Sequence, residues 1–443
     1  MLLPLKRVLY SGLMIKYNND YKKVSNIHEA EEFSEFQEMR VKKLLNHVSE
    51  NVEYYKPFLE SENSDEFGID SIKNMPILTK AIIRENFEKL RSKDYNNRTW
   101  FYHTSGGSTG EPLKLMQDDQ TIKWSNIGHF YYCNEMLGVD EPRVKKVIVW
   151  GNERDVFGQR TSLKTRLFQK VTRTLLLNCY LMTEENMARY INTINSYKPE
   201  FIRGYASCLY ELCKFAEEKN MPLHAPNFIE STSENLTDPM RETIESTFGT
   251  KVSDFYGSRE LSSIAGECEE GKLHLFTFKN YVEILDRDDK PVKTGEEGRV
   301  VVTDLSNYSM PLIRYEIGDM AILGKKKCKC GNPLPTLEKV VGRITDSFVL
   351  KNGTIVPAEY FTQLIGVYCN KGLIEKFQIL QEDYDLIKIK AVAYPGFNVS
   401  EEKEIEHKIK LVMGKNCKTI WEYVDDIPKT RSGKYLFTQS HVN

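Results

Sequence analysis

Phe201-Ile-Arg-Gly-Tyr-Ala-Ser-Cys-Leu-Tyr-Glu-Leu-Cys-Lys-Phe-Ala-Glu-Glu218 holds one repeat of the fold. Phe201–Arg203 reads as a short strand. Ser207–Glu218 reads as a helix, because Leu209, Leu212, Cys213 and Ala216 fall on one face at helical spacing. The alternation continues on both sides. Upstream, Val144–Trp150 contains the apolar run Val147-Ile-Val-Trp150, a buried strand, and Thr183–Tyr197 is helical. Downstream, Phe228–Ile229 opens a strand and Thr237-Asp-Pro239 opens a helix carrying Met240, Ile244 and Phe248. Lys251–Tyr256 is again a strand. Repeated βα units bury their strands most simply in a mainly parallel sheet covered by helices. The expected fold class is therefore α/β.

The flanks differ. Residues 28–60 carry Phe36, Val41, Leu44, Leu45 and Val48 at helical spacing, and Thr79 is placed to cap the helix that follows Met75-Pro-Ile-Leu-Thr-Lys80. After residue 270 the strands shorten and the connections become rich in turns, as in Asp286-Arg-Asp-Asp-Lys-Pro291 and Thr294-Gly-Glu-Glu-Gly298. A last segment mixes strands with the helices Ala358–Val367 and Glu401–Met413. The expected plan is an N-terminal domain over residues 1–343 and a small, compact α+β domain over 344–443. Within the first, residues 1–98 are helical and residues 268–330 form a small β subdomain.

Composition sets the outer bounds. The chain has 443 residues, 40% hydrophobic and 28% charged, as a globular protein of more than one domain does. Its 61 basic and 63 acidic residues leave a net charge of −2, which gives no footprint for nucleic acid. Nine scattered cysteines do not form a disulfide framework and fit a reducing, cytoplasmic setting. No apolar run approaches the ~18 residues of a membrane span. The apolar start, with Lys6 and Arg7 inside it, reads as a helix packed on the domain or lying at a membrane surface.

The chemistry begins at Tyr102-His-Thr-Ser-Gly-Gly-Ser-Thr-Gly-Glu-Pro112. From Thr104 to Gly110 every residue is a glycine or carries a hydroxyl. Such a loop can turn backbone N–H groups inward around phosphate oxygens. It also reads as a flexible connection, and it lacks the Gly-Lys-Ser/Thr ending of a Walker loop. Four further motifs follow in order: Tyr256-Gly-Ser-Arg-Glu260, Arg314-Tyr-Glu-Ile-Gly-Asp319, Gly342-Arg-Ile-Thr-Asp346 and Pro428-Lys-Thr-Arg-Ser-Gly-Lys434.

Together these five motifs resemble those of the adenylate-forming superfamily of acid-activating enzymes, in the same order and across most of the chain. Asn51-Val-Glu-Tyr-Tyr-Lys-Pro57, Pro76-Ile-Leu-Thr-Lys80, Asp254-Phe-Tyr-Gly-Ser-Arg-Glu260 and Met310-Pro-Leu-Ile-Arg-Tyr315 are similar to the phenylacetate–coenzyme A ligase branch. Within that branch the chain looks most like the subfamily associated with capsular polysaccharide. The resemblance implies ATP-dependent activation of a carboxylic acid, release of pyrophosphate, and transfer of the acyl group to coenzyme A. An amine, sugar or carrier is the alternative acceptor, and a non-catalytic nucleotide-binding protein is the contrasting class.

The resemblance also implies roles. Thr104, Ser105, Gly106, Gly107, Ser108, Thr109 and Gly110 hold the phosphates of ATP. Tyr256, with Gly257, lies against the adenine, and Asp319 binds the ribose hydroxyls beside Arg343. Glu260 helps hold Mg²⁺, a hard cation that prefers carboxylate oxygen. Lys434 neutralises charge that develops on the carboxylate and α-phosphate. At the hinge, an acidic residue is expected two positions after Arg343, where this chain has Thr345, with Asp346 next.

A second constellation is Cys268, His274, Cys328 and Cys330. Three thiols and an imidazole are the donor set of a closed, structural Zn²⁺ site. The same residues also read as reduced cysteines near a histidine. Lys325-Lys-Lys327 beside them reads as a solvated turn or a contact for coenzyme A phosphates or lipid. His103 is a structural histidine or a neighbour of the substrate carboxylate. Phe130, Tyr131, Tyr132 and Tyr205 line the acid pocket or belong to the core.

Overall fold

The structure, a computed structural model, describes residues 19–60, 62–104, 114–141, 143–150, 169, 171–178, 184–232, 236–343, 348–351, 355–356, 361, 364–365, 368, 373–427 and 438–442. The apolar N-terminal segment, Ser105–Gly110, Thr345, Asp346 and Lys434 lie outside them. No helix among the described residues is long and apolar enough to cross a membrane.

The helix Ala30–Asn51 buries Val41, Leu44, Leu45 and Val48 of the expected stripe; Phe36 is only partly buried, and Phe33 is buried in addition. It also buries Arg40, whose guanidinium lies 3.5 Å from the centre of the Trp124 ring and donates to the Leu305 carbonyl at 2.7 Å. Thr79 caps the helix Lys80–Glu85 by accepting from the Ile82 N–H.

An eleven-stranded sheet organises the larger part of the chain. From one edge to the other its strands are Asn280–Leu285, Glu297–Asp304, Tyr315–Leu323, Thr336–Arg343, Leu273–Leu275, Ser262–Glu267, Val252–Ser258, Phe228–Thr232, Phe201–Tyr205, Lys146–Trp150 and Thr174–Asn178. The last five pair in parallel. All other neighbours are antiparallel. The strands expected after residue 270 are thus hydrogen-bonded into the same sheet as the βα units. The parallel half is coated by the helices Glu184–Tyr197, Ala206–Glu218 and Asp238–Phe248, whose apolar faces meet Val147, Val149, Ile202 and Ile229. Cys213 is fully buried in that layer.

Two glycines are required by close approach. A Cβ at Gly204 would stand 3.0 Å from the Leu209 side chain, so the glycine lets the helix Ala206–Glu218 settle directly on the strand it follows. A Cβ at Gly257 would stand 2.3 Å from the Ser262 carbonyl oxygen, so the tight return from Val252–Ser258 to Ser262–Glu267 admits no side chain there.

Near the C-terminus a four-stranded sheet runs in the order Lys418–Tyr423, Leu386–Ala393, Ile374–Asp383, Thr438–Ser440. The helix Val399–Met413 starts in a capping box between Asn398 and Glu401 and contributes Ile405 and Ile409 to a core with Phe361, Ile379 and Ile389. This is the mixed α/β architecture expected, with a large, partly parallel sheet and a smaller α+β unit.

Candidate active site

The strand Val252–Ser258 is where parallel pairing gives way to antiparallel pairing. In open α/β sheets ligands bind beyond the carboxyl ends of strands where the topology switches. Tyr256 lies on this strand, and the three-residue turn that follows it, Arg259–Leu261, carries Glu260 at its centre. The Tyr256 hydroxyl donates to Asp319 Oδ2 at 2.7 Å. Asp319 in turn is the register partner of Arg343 on the neighbouring strand. Three of the expected residues therefore converge at the backbone level, and two of them touch through their side chains.

The Glu260 turn is clamped from two sides. Gln117 Nε2 donates to the Glu260 carbonyl at 2.8 Å and to the Arg259 carbonyl at 3.2 Å. Lys279, fully buried, donates from Nζ to the Leu261 carbonyl at 2.6 Å and lies 3.5 Å from Asp304. Burial pulls the Lys279 ammonium below its usual range, with Asp304 opposing. The Glu260 side chain is itself buried, and among the described residues it has no hydrogen-bond or ion-pair partner. A buried carboxylate without a partner fits a cation-binding role.

Gln117 belongs to a hairpin, Trp100–Thr104 paired with Lys114–Asp118, whose last register pair is Thr104 with Lys114. The two strands flank residues 105–113, so the hydrogen bonds of Gln117 bring the foot of the Gly/Ser/Thr segment to the Glu260 turn. The hairpin is fixed in turn by Asp118. Its Oδ1 accepts from the N–H groups of Gln120 and Thr121, and its Oδ2 from Tyr308 and Ser309, both at 2.9 Å. His103 faces the same turn. Burial and then Arg259 push its imidazole below the usual range, against Glu260. Its Nδ1 is buried with no hydrogen-bond partner among the described residues.

Cys268, His274, Cys328 and Cys330 place their ligand atoms within 4.8 Å of one another. Cys268 Sγ and Cys328 Sγ are 3.7 Å apart, and Cys330 Sγ is 3.2 Å from His274 Nε2. Tetrahedral Zn–S bonds of ~2.3 Å set sulfurs about 3.8 Å apart, so the donor set fits zinc. His274 Nδ1 lies 2.9 Å from the Leu334 carbonyl, which fixes the tautomer with Nε2 turned to the thiols. Burial lowers the His274 pKa, against its bond to the Leu334 carbonyl, and pushes Cys330 up to about 12. The cluster sits where the sheet is weakest, since Leu273–Leu275 meets Thr336–Arg343 through only two register pairs.

Residues 348–441 match the CapK C-terminal domain. The chain is 26% identical over 434 residues to Protein CapK of Staphylococcus aureus, covering 95% of this chain and 92% of that protein. It is 23% identical to the phenylacetate–coenzyme A ligase of Thermus thermophilus, covering 76% of each. This chain is homologous to CapK and to the phenylacetate–coenzyme A ligases. Among solved structures, 2-hydroxyisobutyryl-CoA ligase in complex with 2-HIB-AMP aligns with a TM-score of 0.66 at 18% identity, over 93% of this chain and 90% of that one. The o-succinylbenzoate coenzyme A synthetase of Bacillus subtilis, in complex with ATP and magnesium ion, aligns with a TM-score of 0.52 at 17% identity, over 76% and 68%. Both place this CapK homologue in the adenylate-forming ligase fold.

Gln117 and Lys279 have no signal in a single sequence: each acts on a backbone carbonyl far away in the chain. Phe130, Tyr131 and Tyr132 are core residues, packed around Phe255, Phe276 and Phe278. Tyr205 instead stands against Trp150, with ring centres 4.6 Å apart.

Proposed function

We propose that the chain is an AMP-forming acid–thiol ligase. A carboxylate oxygen of the acid attacks the α-phosphorus of ATP, the bond to the bridging oxygen breaks, and pyrophosphate leaves. The thiol of coenzyme A then displaces AMP from the acyl-adenylate. The observation that carries this reading is the convergence of Tyr256, Glu260 and Asp319 with the two strands flanking residues 105–113. The homology to phenylacetate–coenzyme A ligases supports the thiol as acceptor.

In this reading Ser105, Ser108, Thr109 and the backbone at Gly106, Gly107 and Gly110 grip the phosphates, with Thr104 at the foot of the loop. Asp319 takes the ribose hydroxyls with Arg343 beside it, and the Tyr256 ring, with Gly257, lies along the adenine. Glu260 would hold Mg²⁺, which screens the polyphosphate charge. Lys434 offsets the negative charge that grows at the reacting carboxylate and α-phosphate. The boundary near residue 343 is the proposed hinge of a C-terminal lid, with Thr345 or Asp346 as its pivot. Cys268, His274, Cys328 and Cys330 are assigned to a structural zinc ion. Use of ATP and reduced thiols suits the cytoplasm.

The match to CapK over nearly the whole chain favours a second reading of the acceptor only: an amine, sugar or carrier in cell-surface polysaccharide synthesis. Pyrophosphate release across a panel of acids, with and without coenzyme A, tests both. Acyl-CoA in the product mixture establishes the thiol. Release that ignores coenzyme A points to the other acceptors. ATP binding with no release from any acid would leave a nucleotide-binding protein without the activity.

A further inference from the structure

Two interior strands of the sheet carry a pair of charged side chains on one face. Arg203 and Glu230 are register partners on Phe201–Tyr205 and Phe228–Thr232. His129, from the helix Asp119–Tyr131, completes the group. Arg203 Nε lies 2.7 Å from Glu230 Oε1, His129 Nε2 lies 2.9 Å from Glu230 Oε2, and Arg203 Nη1 lies 3.3 Å from His129 Nε2. A carboxylate only accepts, so His129 Nε2–H donates to Glu230, that bond turns the imidazole, and Arg203 Nη1 stands beside Nε2 without donating to it. Glu230 is fully buried. Burial raises its pKa, but Arg203 and then His129 outweigh it and hold the carboxyl below its ordinary range.

The next row toward the carboxyl ends, two residues on and so on the same face, holds Trp150, Tyr205, Thr232 and Phe255. Trp150 and Tyr205 meet there with their rings tilted by 58°, and Phe255 closes the far side against His129, ring centres 5.3 Å apart. The Arg203 guanidinium lies 5.8 Å from the Trp150 ring and 5.5 Å from the Phe255 ring. The opposite face of these strands is sealed, with Val147, Val149 and Ile202 fully buried. On this face Ile148, Trp150, Arg203 and Tyr205 are only partly covered. An interior strand covered on one face and open on the other lines a recess. Here the recess lies at the carboxyl ends, on the reverse side of the strand from Tyr256.

Resting on the adenylation reading above, we infer that this recess receives the body of the acid and selects acids that carry a neutral oxygen acceptor, a hydroxyl or carbonyl, away from the reacting carboxylate. Arg203 is a specificity-determining residue through Nη2, which has no hydrogen-bond partner among the described residues. Glu230 already neutralises the guanidinium, so the recess offers a hydrogen bond rather than a net positive charge. A hydrocarbon acid leaves that donor desolvated and unpaired, and a site built to hydrogen-bond its substrate rejects the analogue that lacks the group. A second carboxylate brings a charge that nothing in the group balances.

The test uses acids matched in size: phenylacetate with 4-hydroxyphenylacetate, butyrate with 3-hydroxybutyrate, and succinate as the dianionic arm. ATP–pyrophosphate exchange is measured on the full chain for wild type, Arg203→Met, and Arg203→Met with Glu230→Gln, which removes both charges and so avoids a buried unpaired carboxylate. Binding of the same acids is followed by saturation-transfer NMR, which needs no turnover. The expected result is a preference of at least about tenfold in kcat/KM for the oxygenated member of a pair. That preference should fall to near unity in whichever variant folds. Exchange without the preference, a preference that survives loss of Arg203, or succinate as the best acid overturns the inference and leaves adenylation standing. Preferential binding through Arg203 with no exchange from any acid sinks adenylation and leaves the inference standing. Binding of none of the acids counts against the inference.

Discussion

The Tyr256 hydroxyl reaches Asp319 Oδ2 at 2.7 Å although three strands lie between theirs in the sheet. Four strand spacings of about 4.8 Å would separate them by roughly 19 Å if the sheet were flat. The sheet must therefore curl back on itself at its antiparallel half, and this single bond links the two sides of the curl. Both residues are buried, so the bond is sheltered from water.

Tyr256→Phe removes the hydroxyl and little else. Asp319 then loses a donor in a buried setting, which typically costs about 1–2 kcal/mol. We expect the KM for ATP to rise about fivefold to tenfold, with a smaller change in kcat, in ATP–pyrophosphate exchange. An unchanged KM would mean that the bond does not position Asp319 for the nucleotide.

Metal content is a direct check on the cysteine–histidine cluster. Purified protein is expected to carry about one zinc per chain, and Cys328→Ser or a strong chelator is expected to lower the Tm by several degrees. Loss of the metal should loosen the two-pair contact between Leu273–Leu275 and Thr336–Arg343 first. Hydrogen exchange at those strands reads this directly. Metal-free protein with full stability would reduce the cluster to reduced thiols.

Asp94 supplies a pH-dependent contribution to stability. The bidentate hydrogen bonds from Arg98, at 2.7 and 2.8 Å, overcome partial burial and hold its carboxyl at about 2, below the usual carboxylate range. A depressed carboxyl stabilises the fold above its unfolded pKa and loses that contribution as pH falls through the folded one. The pair is partly open to solvent, which screens it, so the effect is about 1 kcal/mol. Asp94→Asn should be less stable than wild type by that amount at pH 7, with the gap closing between about pH 4 and pH 2. Urea melts at several pH values measure it.

Lys434→Ala tests the assignment of the C-terminal motif. Loss of a cation aimed at developing charge typically lowers a rate by about 10²–10³-fold. Acid-dependent exchange should fall by that factor while ATP binding, read by a fluorescent analogue, changes little. Exchange that persists at the wild-type rate would remove Lys434 from the adenylation step.

The repeated βα pattern was legible because each helix presents a continuous apolar face, as Leu209, Leu212, Cys213 and Ala216 do. The strand ends were less so: the strand read as Phe201–Arg203 runs on through Gly204 to Tyr205, and Gly204 serves close packing. The hairpin formed by Trp100–Thr104 and Lys114–Asp118 left no hydrophobic alternation to announce it, and its position is set by Asp118 and Gln117 acting on distant backbone. The motif residues could be named from the chain because each lies in a short, recognisable run. Arg203, Glu230 and His129 could not, since only the parallel register brings three isolated residues together.

Asp118 also bears on how the chain is made. Two of its four N–H partners, Gln120 and Thr121, are its immediate neighbours, while Tyr308 and Ser309 are 190 and 191 positions away. During synthesis the carboxylate can start the helix Asp119–Tyr131 as soon as that segment leaves the ribosome. The hairpin beside it cannot be locked down until the chain has grown past Ser309. A nascent chain therefore holds this hairpin unanchored until the residues around Ser309 have been made, and its docking is a late step of folding.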